Sequence, residues 1–481
     1  MRKAGLFAWL AVMAAGCASS PGYRPPEVQI PAAFRETRDT IVEVAVSAGP
    51  AALDVTWPEL GDTTLTRLIR QLGSANLDVQ AAEARVRGAR AARTEVALDL
   101  APTVTFGGGY TRQRLASASF PIEAGAFPDQ DIWDGGFDAS WELDLFGRVR
   151  RNVQAQGAFV GVTQEDLRNV QISLTAELAR AYFDLRGAQE QLAVAVKNAQ
   201  NQQRTLALTR ERLEAGRGTA FDTERAQAQL SFTLASIPSL EARVRQAQYQ
   251  IGVLVGRSPT AVASELERPL PLPDFPAVGE LATPDSVIRR RPDVAAAERQ
   301  LAVERALVGA AKADYLPRFS VGGSAGYAAS DFSALGDRGT FRYAVGPVVS
   351  WPALNLGRIK ARVDQSRARE REAQAQYDAT VLRAVQEVES SLVRYRSARS
   401  RVSRIRDAAA ASERAAQLAR LRFTGGVADF LQVLDAERTQ LEAQDQLAQS
   451  RTEAATAYAA LYKALGGSWA SGSDTESEEK K

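Results

Sequence analysis

The sequence predicts a mixed α and β membrane protein. Each chain supplies four transmembrane β-strands and very long α-helices in two tandem structural repeats, and three copies complete a 12-stranded β-barrel continuous with an α-helical barrel. Three observations lead there. First, the chain repeats itself. NLDVQAAEARVRGARAARTEVALDLAPTVTFGG, from Asn76, aligns without gaps to RPDVAAAERQLAVERALVGAAKADYLPRFSVGG, from Arg291; further on, Gly147, Gly216 and Gly256 align with Gly357, Gly426 and Gly466. Second, proline is absent from Asp129 to Ile237 and from Ala353 to the C-terminus, in stretches rich in the helix formers Ala, Leu, Gln, Glu and Arg. Third, four short segments alternate apolar and polar residues with the period of a strand.

The elements follow in order. MRKAGLFAWLAVMAAGC pairs a positive start (Arg2, Lys3) with an apolar run from Leu6 to Ala15 and a small-residue cleavage region, Ala14-Ala15-Gly16. Residues 1–16 read as an export signal peptide. Cys17, the only cysteine, stands directly after it and resembles the lipid-modified cysteine of bacterial lipoproteins, with Ala14 where that pattern usually has Leu. Ala18, rather than Asp, resembles lipoproteins sent to the outer membrane. Residues 17–60 then form a lipid-anchored N-terminal segment. Beyond the signal, no apolar run approaches the ~20 residues of a membrane-spanning helix, so a membrane can be crossed only by strands.

Residues 61–260 form the first repeat and 285–467 the second, joined by a proline-rich linker over 261–284. Each repeat opens with a helix (76–100, then 292–313) that ends before a proline. A β-hairpin follows (102–146, 317–352), then a helical hairpin (148–256, 358–466). From about Arg148 to Leu213 the first long helix would extend ~100 Å at 1.5 Å per residue. Such a helix needs a long neighbour to cover its apolar stripe, as in a coiled coil or helical barrel. Pro238, in the returning helix, is expected to kink it.

In the strands, Val104, Phe106, Gly108 and Tyr110 share one face, as do Phe137, Ala139, Trp141, Leu143 and Leu145. The second repeat matches with Phe319, Val321, Ala325 and Tyr327, and with Phe341, Tyr343, Val345, Val349 and Trp351. Polar residues or glycines occupy the positions between, the pattern of an outer-membrane strand; a soluble sheet packed on helices alternates too. Four strands cannot close around a lumen, and lipid tolerates no unpaired edge. Two copies would give eight strands and a filled interior; three give twelve and a channel. The last residues, SWASGSDTESEEKK (468–481), read as a disordered tail.

Composition excludes much else. With no histidine and one cysteine, zinc sites of the His/Cys type, His-based acid–base catalysis and disulfides are ruled out. No GK dipeptide exists for a Walker A phosphate loop. The formal charge of +2 gives no reason to invoke nucleic acid. No spacing supports an enzyme, and no catalytic residue, metal or cofactor is assigned beyond a covalent lipid on Cys17.

YRPPEVQIPAAF (Tyr23 to Phe34), ELDLFGR (Glu142 to Arg148), ALNLGR (Ala353 to Arg358), GGVADFLQVLDAER (Gly425 to Arg438) and LYKALGG (Leu461 to Gly467) together resemble the TolC-like outer-membrane efflux channels, in particular the lipoprotein branch serving RND multidrug pumps. The resemblance implies a homotrimer inserted in outer-membrane lipid and anchored by its acyl chain, with the helical tunnel in the periplasm. It also implies docking through a periplasmic adaptor, or membrane fusion protein, onto an inner-membrane RND-type transporter. Drugs and other small toxic compounds would pass through it passively. By the same resemblance the glycine breaks are the hairpin tips that contact adaptor hairpins: Gly216, Arg217, Gly218 and Thr219, then Gly426, Val427 and Ala428. Leu431, Asp435 and Arg438 match the family's periplasmic gate, and their spacing puts them on one stripe of a helix. Gln432 stands where some relatives carry a second acidic ring. Two other readings stay open: the channel of a type I protein-secretion system, and a periplasmic coiled-coil scaffold or adaptor lipoprotein with its strands in a soluble sheet.

Overall fold

The computed structural model describes residues 30–31, 33–35, 57–114, 128–275 and 283–467. Residues 1–16, read above as a signal peptide, together with Cys17 and the tail from 468, lie outside the described residues. In chain order, the structure runs α1 (Thr63–Ala75), α2 (Leu77–Leu98), β1 (Thr103–Gln113), β2 (Gln130–Leu143), α3 (Arg148–Glu214), α4 (Ala220–Leu254), α5 (Pro259–Glu265), α6 (Pro284–Arg289), α7 (Pro292–Ala313), β3 (Arg318–Ala329), β4 (Phe341–Ser350), α8 (Leu356–Thr424) and α9 (Phe430–Ala464). The duplicated order of elements matches the internal repeat. Among the described residues no helix is long and apolar enough to cross a membrane.

The chain divides into two compact units. Of the described residues, the first gathers those within 85–164 and 296–378, and the second those within 30–84, 165–295 and 379–467. The first unit holds one antiparallel sheet in the order β1-β2-β3-β4. Its register pairs Phe106 with Phe137, Tyr110 with Trp133, Phe137 with Ala325, Trp141 with Val321, and Tyr327 with Phe341. The apolar residues anticipated from the alternation therefore share one face of a continuous sheet. Cross-strand ring pairs follow the register, with centroids 5.3 Å apart for Phe106–Phe137, 4.4 Å for Tyr110–Trp133 and 5.6 Å for Tyr327–Phe341. This face is uncovered in the single chain: Phe106 is 71%, Tyr343 75% and Val345 74% exposed. In water each such side chain forgoes roughly 1–2 kcal/mol of burial.

A device present in both repeats ties the sheet to its helices. Trp141, at the end of β2, donates its indole N–H to the carbonyl of Leu100 just past α2 (2.9 Å); Trp351, just past β4, does the same to Tyr315 past α7 (3.1 Å). The ELDLFGR run explains the sharp passage into α3. Glu142 accepts two hydrogen bonds from Arg148 (2.9 and 2.7 Å), and Asp144 accepts the backbone N–H of Val149 and Arg150 (3.0 and 2.8 Å), while Gly147 adopts φ +79°. Small residues let α3 and α7 approach: Ala155, Val303 and Ala306 form one buried cluster.

The second unit is helical. Trp57, Tyr182, Phe183, Phe275, Tyr395, Tyr458 and Tyr462 form a connected aromatic core. Asp62 caps α1 and also accepts the hydroxyl of Tyr182 (2.5 Å). Four helix ends close with the same glycine-terminated geometry. At Gly216, Gly256, Gly426 and Gly466 φ is positive, and the next residue's N–H reaches back five residues to the helix carbonyls at 2.8–3.0 Å. α4 stays helical on both sides of Pro238. The linker placed at 261–284 overlaps a short helix, α5, started by Pro259 and burying Val262.

Candidate functional site: the hairpin tips and the stripe beside them

Both glycine breaks are exposed helix reversals. In the first, α3 ends at Glu214, Gly216 turns the chain at φ +66°, and Thr219 caps α4. The Thr219 hydroxyl oxygen accepts the N–H of Asp222 (3.2 Å) and the hydroxyl donates to that residue's carboxylate (2.7 Å). In the second, Gly426 turns at φ +76°, Val427 is 72% exposed, and the Asp429 carboxylate caps α9 by accepting the N–H of Gln432 (3.0 Å). The structure thus places all seven tip residues in two turns of like geometry.

One apolar cluster holds the two hairpins together next to these turns. Ala199 and Leu206 of α3, Ala226 and Leu230 of α4, Phe423 of α8, and Phe430 and Val433 of α9 are all buried in it. Arg212 stacks over the Phe423 ring at 4.0 Å and donates to the Phe423 carbonyl, pinning the end of α3 to the end of α8.

Leu431, Asp435 and Arg438 lie on the open face of α9. Asp435 and Arg438 form an ion pair at 3.2 Å with side chains 72% and 60% exposed, and Arg438 also approaches Glu442 at 3.8 Å. The opposite face of the same turn was not anticipated. Glu437 is buried, accepts the hydroxyl of Thr205 (2.9 Å), and lies 3.6 Å from the Arg420 guanidinium. Arg420 in turn donates to Gln440 (3.3 Å) and to the Ala416 carbonyl (3.2 Å). Burial pushes the Glu437 carboxyl above the usual carboxylate range, against the opposing pull of Thr205 and Arg420. A signal for it exists in the sequence: Phe430, Val433, Glu437 and Gln440 share the spacing of a buried helical stripe, so Glu437 sits where an apolar residue is expected.

Glu437 begins a ladder of polar contacts between α9 and α3. Asn198 donates to Gln444 (3.0 Å), Gln191 to Asp445 (2.8 Å), and Arg451 to Glu190 (2.8 Å). On α3 the contact residues Thr205, Asn198 and Gln191 are buried and stand seven residues apart; on α9 Glu437, Gln444 and Arg451 have the same spacing, with Glu437 buried and the other two half-buried. These contacts run antiparallel along the two helices. Among the described residues no cluster of side chains suits a metal ion.

A sheet with one lipid-compatible face and open edges, on a chain whose remainder is long helical hairpins, defines the subunit of an outer-membrane channel. The chain belongs to the outer membrane efflux protein family, whose model matches residues 68–257 and 283–467. It is similar to outer membrane protein OprJ of Pseudomonas aeruginosa, 31% identical over 490 residues with 98% of each chain covered. It is likewise similar to the probable efflux pump outer membrane protein TtgC of Pseudomonas putida, 30% identical over 459 residues, covering 94% of this chain and 93% of that one. The solved structure of the outer-membrane channel OprN superposes with a TM-score of 0.84 at 36% identity, covering 94% of this chain and 99% of the other. The protein is an outer-membrane component of an efflux system.

Proposed function

We propose that three copies join β4 of one to β1 of the next, closing a twelve-stranded barrel in the outer membrane above a periplasmic helical tunnel. The observation that carries this is the sheet: among the described residues β1 pairs only with β2 and β4 only with β3, while the shared apolar face lies open. Neither unpaired edges nor that face is stable alone, and self-association in lipid satisfies both. The assembly is a passive conduit with no catalytic step, carrying small molecules such as drugs from the periplasm or from a pump. TtgC is named as the outer membrane protein of an efflux pump, which supports a tripartite arrangement with a periplasmic adaptor and an inner-membrane RND-type transporter.

In this arrangement the two tips, Gly216 to Thr219 and Gly426 to Ala428, are the adaptor-contact surfaces. Leu431, Asp435 and Arg438 repeat around the axis as the periplasmic gate, and Cys17 carries the lipid anchor. Exposure of the tips and of the Asp435–Arg438 pair supports these assignments. The test is extraction of the full chain from outer membranes, native mass measurement and planar-bilayer recording. A trimer that forms ion channels is expected; a stable monomer without conductance refutes the reading.

A further inference from the structure

We propose that Arg342, held down against Asp134 across a row of glycines, and Asp138 beside it set the charge selectivity of the barrel interior. This rests on the trimeric barrel proposed above, in which the polar face of the sheet lines the lumen. On that face the register places Gly107 opposite Gly136, Gly136 opposite Gly326, and Gly326 opposite Arg342. Three strands thus present no side chain in one transverse row, and the fourth presents the longest cation in β4.

The row is closed to other residues where it matters. A Cβ on Gly136 would lie 2.7 Å from the carbonyl oxygen of Ala325, and one on Gly326 would lie 2.5 Å from that of Gly135. The cleared strip is a depression of about 280 Å³ whose polar lining is Asp134, Asp138, Ser324 and Arg342. Arg342 uses it to cross β3 and reach Asp134 on β2, with Nη2 3.9 Å from Oδ2. With alanine or larger in the row, the guanidinium would be propped toward the lumen axis. Asp138, one row on and paired in register with Ser324, faces the same depression and has no cationic partner among the described residues.

The consequence is electrostatic. Each copy contributes one neutralised pair and one uncompensated carboxylate at this level, so the assembled barrel carries a ring of net negative charge and favours cations. The glycines keep the cation stowed rather than projecting, which leaves the bore both wider and more negative.

Reversal potentials in a KCl gradient test this. They are measured around 10 mM salt, where the screening length is ~30 Å and a wide pore still feels its wall. Asp138→Asn is expected to lower the preference for K⁺ over Cl⁻, and Arg342→Gln, which leaves two uncompensated carboxylates per copy, to raise it. Asp134→Asn, which frees Arg342, is expected to lower both the preference and the single-channel conductance. Asp138→Glu controls for folding and keeps the wild-type value. Ser324→Cys bypasses folding altogether: after assembly, an anionic thiol reagent should raise cation preference and a cationic one lower it. Channels of normal conductance whose reversal potential is unmoved by all of these changes overturn the inference alone. A wild-type protein that forms neither trimer nor channel overturns the conduit reading and this inference with it.

Discussion

Replacing Glu437 probes the contact that fastens the second hairpin to α3. In Glu437→Ala the Thr205 hydroxyl loses its acceptor, Arg420 loses its nearest carboxylate, and the cavity left is lined by groups that were desolvated to meet a charge. Breaking a fully buried pair costs about 3–5 kcal/mol. Arg420 keeps 28% of its side chain in solvent and its bonds to Gln440 and Ala416, so about 2 kcal/mol is the appropriate expectation. Glu437→Gln retains the volume and the acceptor for Thr205 while removing the desolvated charge, and is expected within about 1 kcal/mol of the wild type at neutral pH. Because the folded-state pKa is raised, the protonated form stabilises the contact fully below the ordinary carboxylate value, and that contribution is lost as pH rises through the folded value. The glutamine variant lacks this dependence. Hydrogen exchange of the assembled protein reads the local opening free energy of the segment from Phe430 to Asp445. The alanine variant should exchange there about 30-fold faster, since each 1.36 kcal/mol is tenfold. Wild-type protection should fall on going from acid toward neutral pH, after correction for intrinsic exchange, and that of Glu437→Gln should not. Equal damage by alanine and glutamine would refute the reasoning, because it would mean that the attraction to Arg420 outweighs the burial of the charge.

Three further outcomes are expected. Asp435→Ala removes one member of the exposed 3.2 Å pair and should raise resting conductance and reduce cation preference in planar bilayers; unchanged conductance counts against the gate assignment. Cys17→Ser should give an unacylated or uncleaved protein by intact mass, and a mass matching acylation would contradict the lipid anchor. Trp141→Phe and Trp351→Phe each remove one indole hydrogen bond, at about 1 kcal/mol apiece. The two should lower the dissociation temperature of the assembly by similar amounts, and a shift confined to one would show that the repeats differ in how they hold the sheet.

The strands were legible because a period of two leaves little choice of face: Phe106, Phe137, Tyr327 and Tyr343 had to share a side once the register followed the alternation. The tips were legible because positive φ singles out glycine, and Gly216 and Gly426 occupy equivalent places in the duplication. Helical period put Leu431, Asp435 and Arg438 on one stripe, and the structure leaves that stripe open. Period alone cannot say which neighbour a buried polar residue meets. Glu437 finds Thr205 and Gln444 finds Asn198 more than 200 positions away, through packing between helices of different repeats. The tryptophan latches escaped for a related reason. An alternating pattern marks Trp141 and Trp351 as apolar-face residues, and their N–H groups find carbonyls at helix ends that no strand pattern encodes.

The seven-residue recurrence of rungs between α3 and α9 has a mechanical corollary. The polar contacts set the alignment, while the apolar cluster that includes Leu206, Phe430 and Val433 supplies the adhesion between the two helices. Sliding them lengthwise by one turn would face each rung with the wrong mate and leave several dry polar groups stranded at once. The seam therefore resists axial slippage above all: buried polar partners hold the two helices at one setting where apolar packing alone would tolerate a shift.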